Sequence, residues 1–306
     1  MEKINKLAII GGTHGNEFTG IYLVKKFEKF PELITRKNFE TKTLLANPQG
    51  FELVKRYIDT DLNRCFKVEN LENNINLNYE ESRAKFINQI LGPKGNPKFD
   101  FLLDLHSTTA NMGLTIILAN NHPFNLKIAA YLSSVEPNVK VYSFFNPGEE
   151  NSFLNSICKR GFSIEVGPIA QGILQANLFD KTEKLVQISL DYIEHFNEGK
   201  LHHINADLVI YKHLKFVDYP KTKNGEIVAM IHPQLQGKDY QKLSPGDPMF
   251  LTFENQTIYY QEENPVWPVF INEAAYYEKG IAMCLTTQES ITCLLYTSDA
   301  ADECLC

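Results

Sequence analysis

Hydrophobic positions in the first two hundred residues fall into short continuous runs that alternate with longer stripes at helical spacing. LAIIG (7–11) is apolar up to paired glycines, the pattern of a buried strand entering a tight turn. IYLVKKFEKF (21–30) sets Ile21, Val24 and Phe27, with Phe30 at the margin, on one side and lysines and glutamate on the other, which predicts an amphipathic helix. KTLLANP (42–48) reads as a strand ended by proline, and YEESRAKFINQIL (79–91) as a second amphipathic helix. Gly92, Pro93, Gly95 and Pro97 break the chain before a largely apolar strand at 99–105. TIILAN (115–120), a helix over 124–134, VKVYSFF (139–145), a short helix over 151–159, the strand GFSIEVGP (161–168) and a long amphipathic helix over 178–197 complete the series.

Strands alternating with helices over this length predict an α/β layer fold around a mostly parallel or mixed sheet. His14, Asn47, His106 and Glu165 stand at the ends of predicted strands. Ligand sites in open α/β sheets gather at the carboxyl ends of strands, so this placement predicts a site. Beyond Gly199 the pattern becomes short strand-like runs between turn residues: LVIYKHLKFVDYP, GEIVAMIHP, DPMFLTF, TIYY and VWPVFI. The expected organisation is a catalytic domain over 1–199, a smaller β-rich domain over 200–290 that caps the site, and a tail over 291–306.

Composition narrows the classes. The chain of 306 residues is 43% hydrophobic and 22% charged, ordinary for a folded protein. A net charge of −7 and the lack of any zinc-finger, homeodomain or RNA-binding signature argue against a nucleic-acid partner. No stretch approaches the roughly 18 apolar residues that cross a bilayer, and the N-terminal run is too short for a secretory signal, so a cytoplasmic setting is expected. The cysteines, Cys65, Cys158, Cys284, Cys293, Cys304 and Cys306, form no pair of CxxC motifs. Three of them crowd the final stretch TCLLYTSDAADECLC, which breaks with the preceding composition and reads as either an appended, non-native sequence or a flexible, disordered tail.

Candidate chemistry begins at His14-Gly15-Asn16-Glu17, directly after a strand and Gly11-Gly12. A separation of three in a strand-to-helix turn lets an imidazole and a carboxylate converge, and such donors suit zinc. By itself HxxE describes a solvated loop pair equally well. Asp104-Leu105-His106 ends a buried strand, where His106 is either a satisfied core residue or a ligand oriented by Asp104 on the same face. Two histidines and one glutamate leave a fourth position open, the coordination of a catalytic rather than a structural zinc. Glu165, embedded among apolar residues, is either paired with a structural cation or a general base. The segment 56–64 carries Arg56, Asn63 and Arg64; arginines there either face solvent or grip a carboxylate and stabilise an oxyanion. Asn47-Pro48 is a plain turn or a polar contact in the same pocket. His202, His203 and His213 read as surface or core residues. GxGxxG, GK[ST] and GxSxG patterns are absent, which excludes dinucleotide, P-loop and serine-hydrolase readings.

GGTHGNEFTG (11–20), NP (47–48), RYIDTDLNRCF (56–66), DLHSTT (104–109), EVGP (165–168) and VFINEAAYYEKG (269–280) occur in that order. Together they resemble the aspartoacylase and succinylglutamate desuccinylase family, a branch of the zinc carboxypeptidase superfamily. The resemblance implies a zinc-carboxypeptidase-like mixed sheet flanked by helices, with a smaller β-rich C-terminal domain. It implies one zinc ion per chain on His14, Glu17 and His106, Glu165 as base, and Arg56 polarising the scissile carbonyl. Asn63 and Arg64 would hold a substrate carboxylate, with Tyr276 reaching the same pocket. The implied activity is hydrolysis of a small acidic N-acyl amino acid, typically N-acetyl-L-aspartate; desuccinylation of N-succinylglutamate, peptide cleavage and an inactive metal-containing binding protein are the alternatives. The family also points to a homo-oligomer. One departure concerns specificity. Animal aspartoacylases carry a further arginine and a tyrosine shortly before EVGP, and an ungapped count puts Asn155 and Asn151 there.

Overall fold

The computed structural model describes residues 1–201 and 205–294, the side chains at 205–206 and 292–294 apart. The chain begins with β1 (Lys6–Gly11), α1 (Phe18–Lys29), β2 (Glu40–Leu45), the short α2 (Pro48–Glu52) and α3 (Val68–Glu72), and α4 (Tyr79–Leu91). It continues through β3 (Phe101–Ser107), β4 (Gly113–Leu118), α5 (Pro123–Val135), β5 (Val139–Ser143), β6 (Gly161–Gly167) and α6 (Ala176–Asn197). The last third holds β7 (Asn205–Asp218), β8 (Ala229–Ile231), β9 (Pro248–Thr252), β10 (Thr257–Tyr259) and β11 (Ile281–Leu294).

Eight strands form a mixed sheet in the order β11-β7-β5-β4-β6-β3-β1-β2. β2, β1, β3 and β6 run parallel, β4 is antiparallel to β6, and β4, β5 and β7 are again parallel. The central strands are largely apolar because both faces are covered. Leu7 and Ile9 of β1, Phe101, Leu103 and Leu105 of β3, and Phe162 and Ile164 of β6 pack against α1, α5 and α6. The alternate positions Ala8, Ile10 and Leu102 pack against Ala84, Ile87 and Leu91 of α4. On that second face the apolar pattern stops toward the carboxyl ends, where Asp104, His106, Ser163 and Glu165 take over. The start of α4 is fixed by a reciprocal cap between Asn78 and Glu81.

A three-stranded antiparallel sheet, β10-β9-β8, has its own core around Tyr219, Leu243, Phe250 and Val266. β7 and β11, however, extend the large sheet, so that sheet runs across the expected boundary at residue 199. β11 continues past residue 290, where residues 291–294 pair with 205–208 of β7. The predicted helix over 151–159 is only a 3-10 turn at Leu154–Ile157. Asn151 Oδ1 takes the Phe153 N–H at 2.8 Å, and such local side-chain bonds compete with helix. VWPVFI makes isolated bridges rather than a strand, consistent with Pro268 lacking a donor. His202, His203 and residues from 295 onward lie outside the described part. No helix among the described residues is long and apolar enough to cross a membrane.

Candidate active site

The turn after β1 is shaped by glycine at two points. Gly12 has φ +70°, and a Cβ on Gly15 would lie 2.0 Å from the Gly50 carbonyl carbon, so α2 packs directly on the turn. This presents His14 and then Glu17, immediately before α1. β3 brings His106 from the sheet, and its Cα partner on β6 is Glu165. The carboxyl ends of three adjacent strands therefore deliver the site.

His14 Nδ1 and His106 Nδ1 face each other at 3.2 Å, and Glu17 reaches them with Oε1 at 2.6 Å and Oε2 at 2.9 Å. Each ring turns its other nitrogen to a carboxylate: His14 Nε2 lies 3.0 Å from Asp61 Oδ1, and His106 Nε2 lies 2.8 Å from Asp104 Oδ2. Thr13 Oγ1 donates to the second oxygen of Asp104 at 2.8 Å. With Nε2–H donated outward, both Nδ1 lone pairs point at a third acceptor, Glu17. A cation is what such a set lacks. Two nitrogens about 2.0–2.1 Å from an ion at a tetrahedral angle stand roughly 3.3 Å apart, close to the separation found. Donor type, burial and spacing all fit a single metal ion; the ligand atoms lie within 4.8 Å of one another.

Charges around this centre are strongly coupled. Burial opposes the ionisation of Glu17, yet His14 and His106 outweigh it and hold the carboxyl well below its ordinary range. Burial likewise opposes ionisation at Asp61, but His14 and then Arg56 keep it an anion. Burial works against a charged His106, while Asp104 and Glu17 raise its proton affinity; a proton and a metal compete for the same Nδ1. Glu165 behaves in the opposite sense. Burial and then the Glu17 charge push it well above the ordinary carboxyl range, and its Oε1 is buried with no hydrogen-bond partner among the described residues.

Arg56 donates to Glu17 Oε1 at 3.1 Å and to Asp61 Oδ2 at 3.2 Å. Arg64 donates to the Asn63 carbonyl at 2.9 Å, with its guanidinium carbon 4.9 Å from the centre of the Phe153 ring. Asn63 Oδ1 accepts from the Leu154 N–H at 2.8 Å, leaving its NH2 for the cleft. Arg56, Asn63, Arg64, Glu165, Tyr276 and the three candidate ligands all line one cleft of about 690 Å³, counting open solvent at its mouth. Asn47 is not among the lining residues. Its amide caps α2 through the Gly50 N–H at 2.9 Å and donates to Glu80 at 3.1 Å. Asn155 is buried, donating to Ser163 Oγ at 3.0 Å, and Asn151 engages the Ala119 carbonyl; neither brings a cation to the cleft.

Several contributors were not foreseen. Asp61 stands within RYIDTDLNR, a segment whose arginines drew the attention, and links His14 to Arg56. Glu273 takes N–H bonds from Thr109 at 2.8 Å and Ala110 at 3.1 Å, and also the Thr108 hydroxyl, which ties the segment carrying Tyr276 to the end of β3. Five rings lining the cleft form a closed circuit, Phe144, Phe216, Tyr276, Phe270 and Tyr142, with successive centres 5.7–6.3 Å apart, and Phe153 joins it at Phe144, 5.3 Å away. They come from the end of β5, the segment before β6, β7 and the segment before β11, so no local pattern reveals them. His213 backs this wall, half-buried, with Nδ1 2.9 Å from the Tyr142 hydroxyl.

Comparison with known proteins agrees along nearly the whole chain. The profile of the succinylglutamate desuccinylase/aspartoacylase catalytic domain matches residues 3–193, and that of the AstE/AspA barrel-sandwich hybrid domain matches residues 206–288. A protein of Trichodesmium erythraeum (strain IMS101) named "Probable aspartoacylase" is 86% identical over 95% of this chain and 99% of its own length. The human N-acyl-aromatic-L-amino acid amidohydrolase (carboxylate-forming) is 40% identical over 95% of this chain and 93% of its own. The crystal structure of murine aminoacylase 3 superposes with a TM-score of 0.92 at 39% identity, covering 96% of this chain and 99% of that one.

Proposed function

Because the chain belongs to the succinylglutamate desuccinylase/aspartoacylase family, we propose that its cleft hydrolyses the amide bond of a small N-acyl amino acid, with one zinc ion per chain on His14, Glu17 and His106. The substrate class is N-acyl-L-aspartate; N-acetyl-L-aspartate and water give L-aspartate and acetate. One observation carries the reading: two imidazole Nδ1 atoms and a carboxylate meet in the cleft that also holds Glu165, whose Oε1 has no hydrogen-bond partner among the described residues.

Zinc bound there supplies a Lewis acid that polarises the amide carbonyl and makes a water acidic. The chain's own groups do the rest. Glu165 has a raised proton affinity, so it can take the proton of the attacking water and return it to the departing nitrogen. Arg56, fixed by Glu17 and Asp61, turns its remaining N–H groups to the oxyanion that develops at the acyl carbon. Arg64 and the Asn63 amide hold the amino-acid carboxylate, with Tyr276 alongside. Asp61 and Asp104 keep both imidazoles in the tautomer that leaves Nδ1 free. Three buried free thiols, Cys65, Cys158 and Cys284, suit a reducing cytoplasm.

A second reading rests on the aromatic circuit. Those rings favour an apolar or aromatic group in the bound molecule, and among the described residues Arg56 and Arg64 are the only cationic side chains apart from the histidines lining the cleft. An N-acyl aromatic amino acid needs one carboxylate partner; an aspartate derivative needs two. Turnover of N-acetyl-L-aspartate, N-succinyl-L-glutamate, N-acetyl-L-phenylalanine and a short peptide, with and without chelator, separates the readings. Chelator-sensitive hydrolysis of the aspartate compound above the others supports the first, and preference for the phenylalanine compound supports the second. Peptide cleavage, or no cleavage by zinc-saturated protein, overturns both.

A further inference from the structure

Glu80 is a carboxylate with no solvent exposure, set in the first turn of α4, outside the cleft. It accepts from three consecutive backbone N–H groups: Ile58 to Oε1 at 2.7 Å, Asp59 to Oε2 at 3.0 Å, and Thr60 to Oε2 at 3.3 Å. Asn47 Nδ2 completes Oε1 at 3.1 Å. These residues lie between Arg56 and Asp61 in a stretch with neither helix nor strand geometry. Asp59 closes the junction from the other side by accepting the Tyr79 N–H at 3.0 Å. The same stretch meets the metal turn, where the Gly15 N–H donates to the Arg56 carbonyl at 3.1 Å.

We propose that Glu80, seated by Asn47, is the positioning residue of the arginine loop: its carboxylate holds the backbone of 58–60 and so fixes the Arg56 guanidinium in the cleft. An irregular loop satisfies few of its own donors, and here one buried acceptor on a core-anchored helix satisfies three. Ala84, Ile87 and Leu91 seat that helix against the sheet. Arg56 is two residues from the first held N–H, so a shift of the loop moves it directly. Misplacement of about 1 Å at a reacting centre costs on the order of 100-fold in rate. Asn47 thus serves the site from behind, through Glu80, rather than by touching substrate.

The kinetic arm of the test rests on the hydrolytic reading above; the exchange arm does not. In zinc-loaded Glu80→Gln, amide hydrogen exchange at residues 58–60 accelerates tenfold or more while zinc content stays at the wild-type level. On the best substrate of the panel kcat falls at least tenfold with KM changing less than threefold. In an Arg56→Ala background, adding Glu80→Gln costs less than threefold in kcat, because the group it positions is gone. Asn47→Ser retains a helix-capping oxygen but removes the donor to Glu80, and shows the same pattern more weakly, with exchange fastest at Ile58. This variant decides the matter if Glu80→Gln does not fold. Unchanged exchange at 58–60, equal losses of kcat with and without Arg56, or zinc loss that tracks the lost rate overturns the proposal. If wild-type protein turns over nothing while exchange responds as stated, the hydrolytic reading fails and the positioning role stands.

Discussion

The cleft has two kinds of lining. Around His14, Glu17 and His106, ionisable groups touch one another in pairs, each imidazole between two carboxylates and Arg56 bridging Glu17 and Asp61. The remainder is the circuit of rings from Tyr142 to Tyr276, with Arg64 as its cation. The charged part depends on a few atoms whose geometry tolerates little change, because each buried charge relies on its neighbour. The aromatic part depends on shape and area, which tolerate substitution in small steps. On the function proposed above, the first would set the reaction type and the second the choice of substrate.

Glu165→Gln breaks the charged part most sharply. It should retain zinc by elemental analysis and lose about 10³-fold in kcat, within the usual span for removing a general base. A variant within tenfold of wild type takes Glu165 out of that role. Next, Asp104→Asn should weaken zinc affinity by about 10–100-fold in a competition titration against a chromogenic chelator, the ordinary cost of losing a carboxylate behind a zinc histidine. Unaltered affinity means that Asp104 serves only the fold.

The aromatic side offers a smaller effect through Asp239. This acid accepts the Ile271 N–H at 3.0 Å, next to Phe270 of the ring circuit, while its Oδ2 is buried with no partner among the described residues. Burial lifts its pKa to about 6. A folded pKa above the unfolded one gives stability that is full below about 4 and is lost as pH rises through about 6. Asp239→Asn should then gain on wild type by on the order of 1 kcal/mol between pH 5 and pH 8 in denaturant melts. An equal difference between the two proteins at both pH values removes the linkage. The mildest change is Phe216→Ala, expected to lower kcat/KM for N-acetyl-L-phenylalanine about fivefold more than for N-acetyl-L-aspartate, as lost apolar contact in a pocket does. Equal losses on both place Phe216 outside the specificity wall.

How much of this the sequence disclosed follows the same division. β1, β3, β6, α1 and α6 were legible because runs and stripes encode burial locally. The three candidate ligands could be named since His14 and Glu17 share the turn after β1, His106 lies near the end of β3, and both motifs are of distinctive composition. β11 escaped because TTQES carries no apolar alternation, its partner being set by β7 some seventy residues earlier. Asp61, Glu273 and Glu80 escaped for another reason. Their significance lies in what folds against them, and a single acidic residue has no local signature. The ring circuit is tertiary altogether, with members from β5 to the segment before β11.

All the chemistry of the cleft turns on where a cation sits. Crystals of zinc-loaded protein, measured on both sides of the zinc absorption edge, give that position directly. One anomalous peak per chain, bounded by the Nδ1 atoms of His14 and His106 and the Glu17 carboxylate, is the predicted result. A fully occupied peak at any other place, or none in protein saturated with zinc, contradicts it.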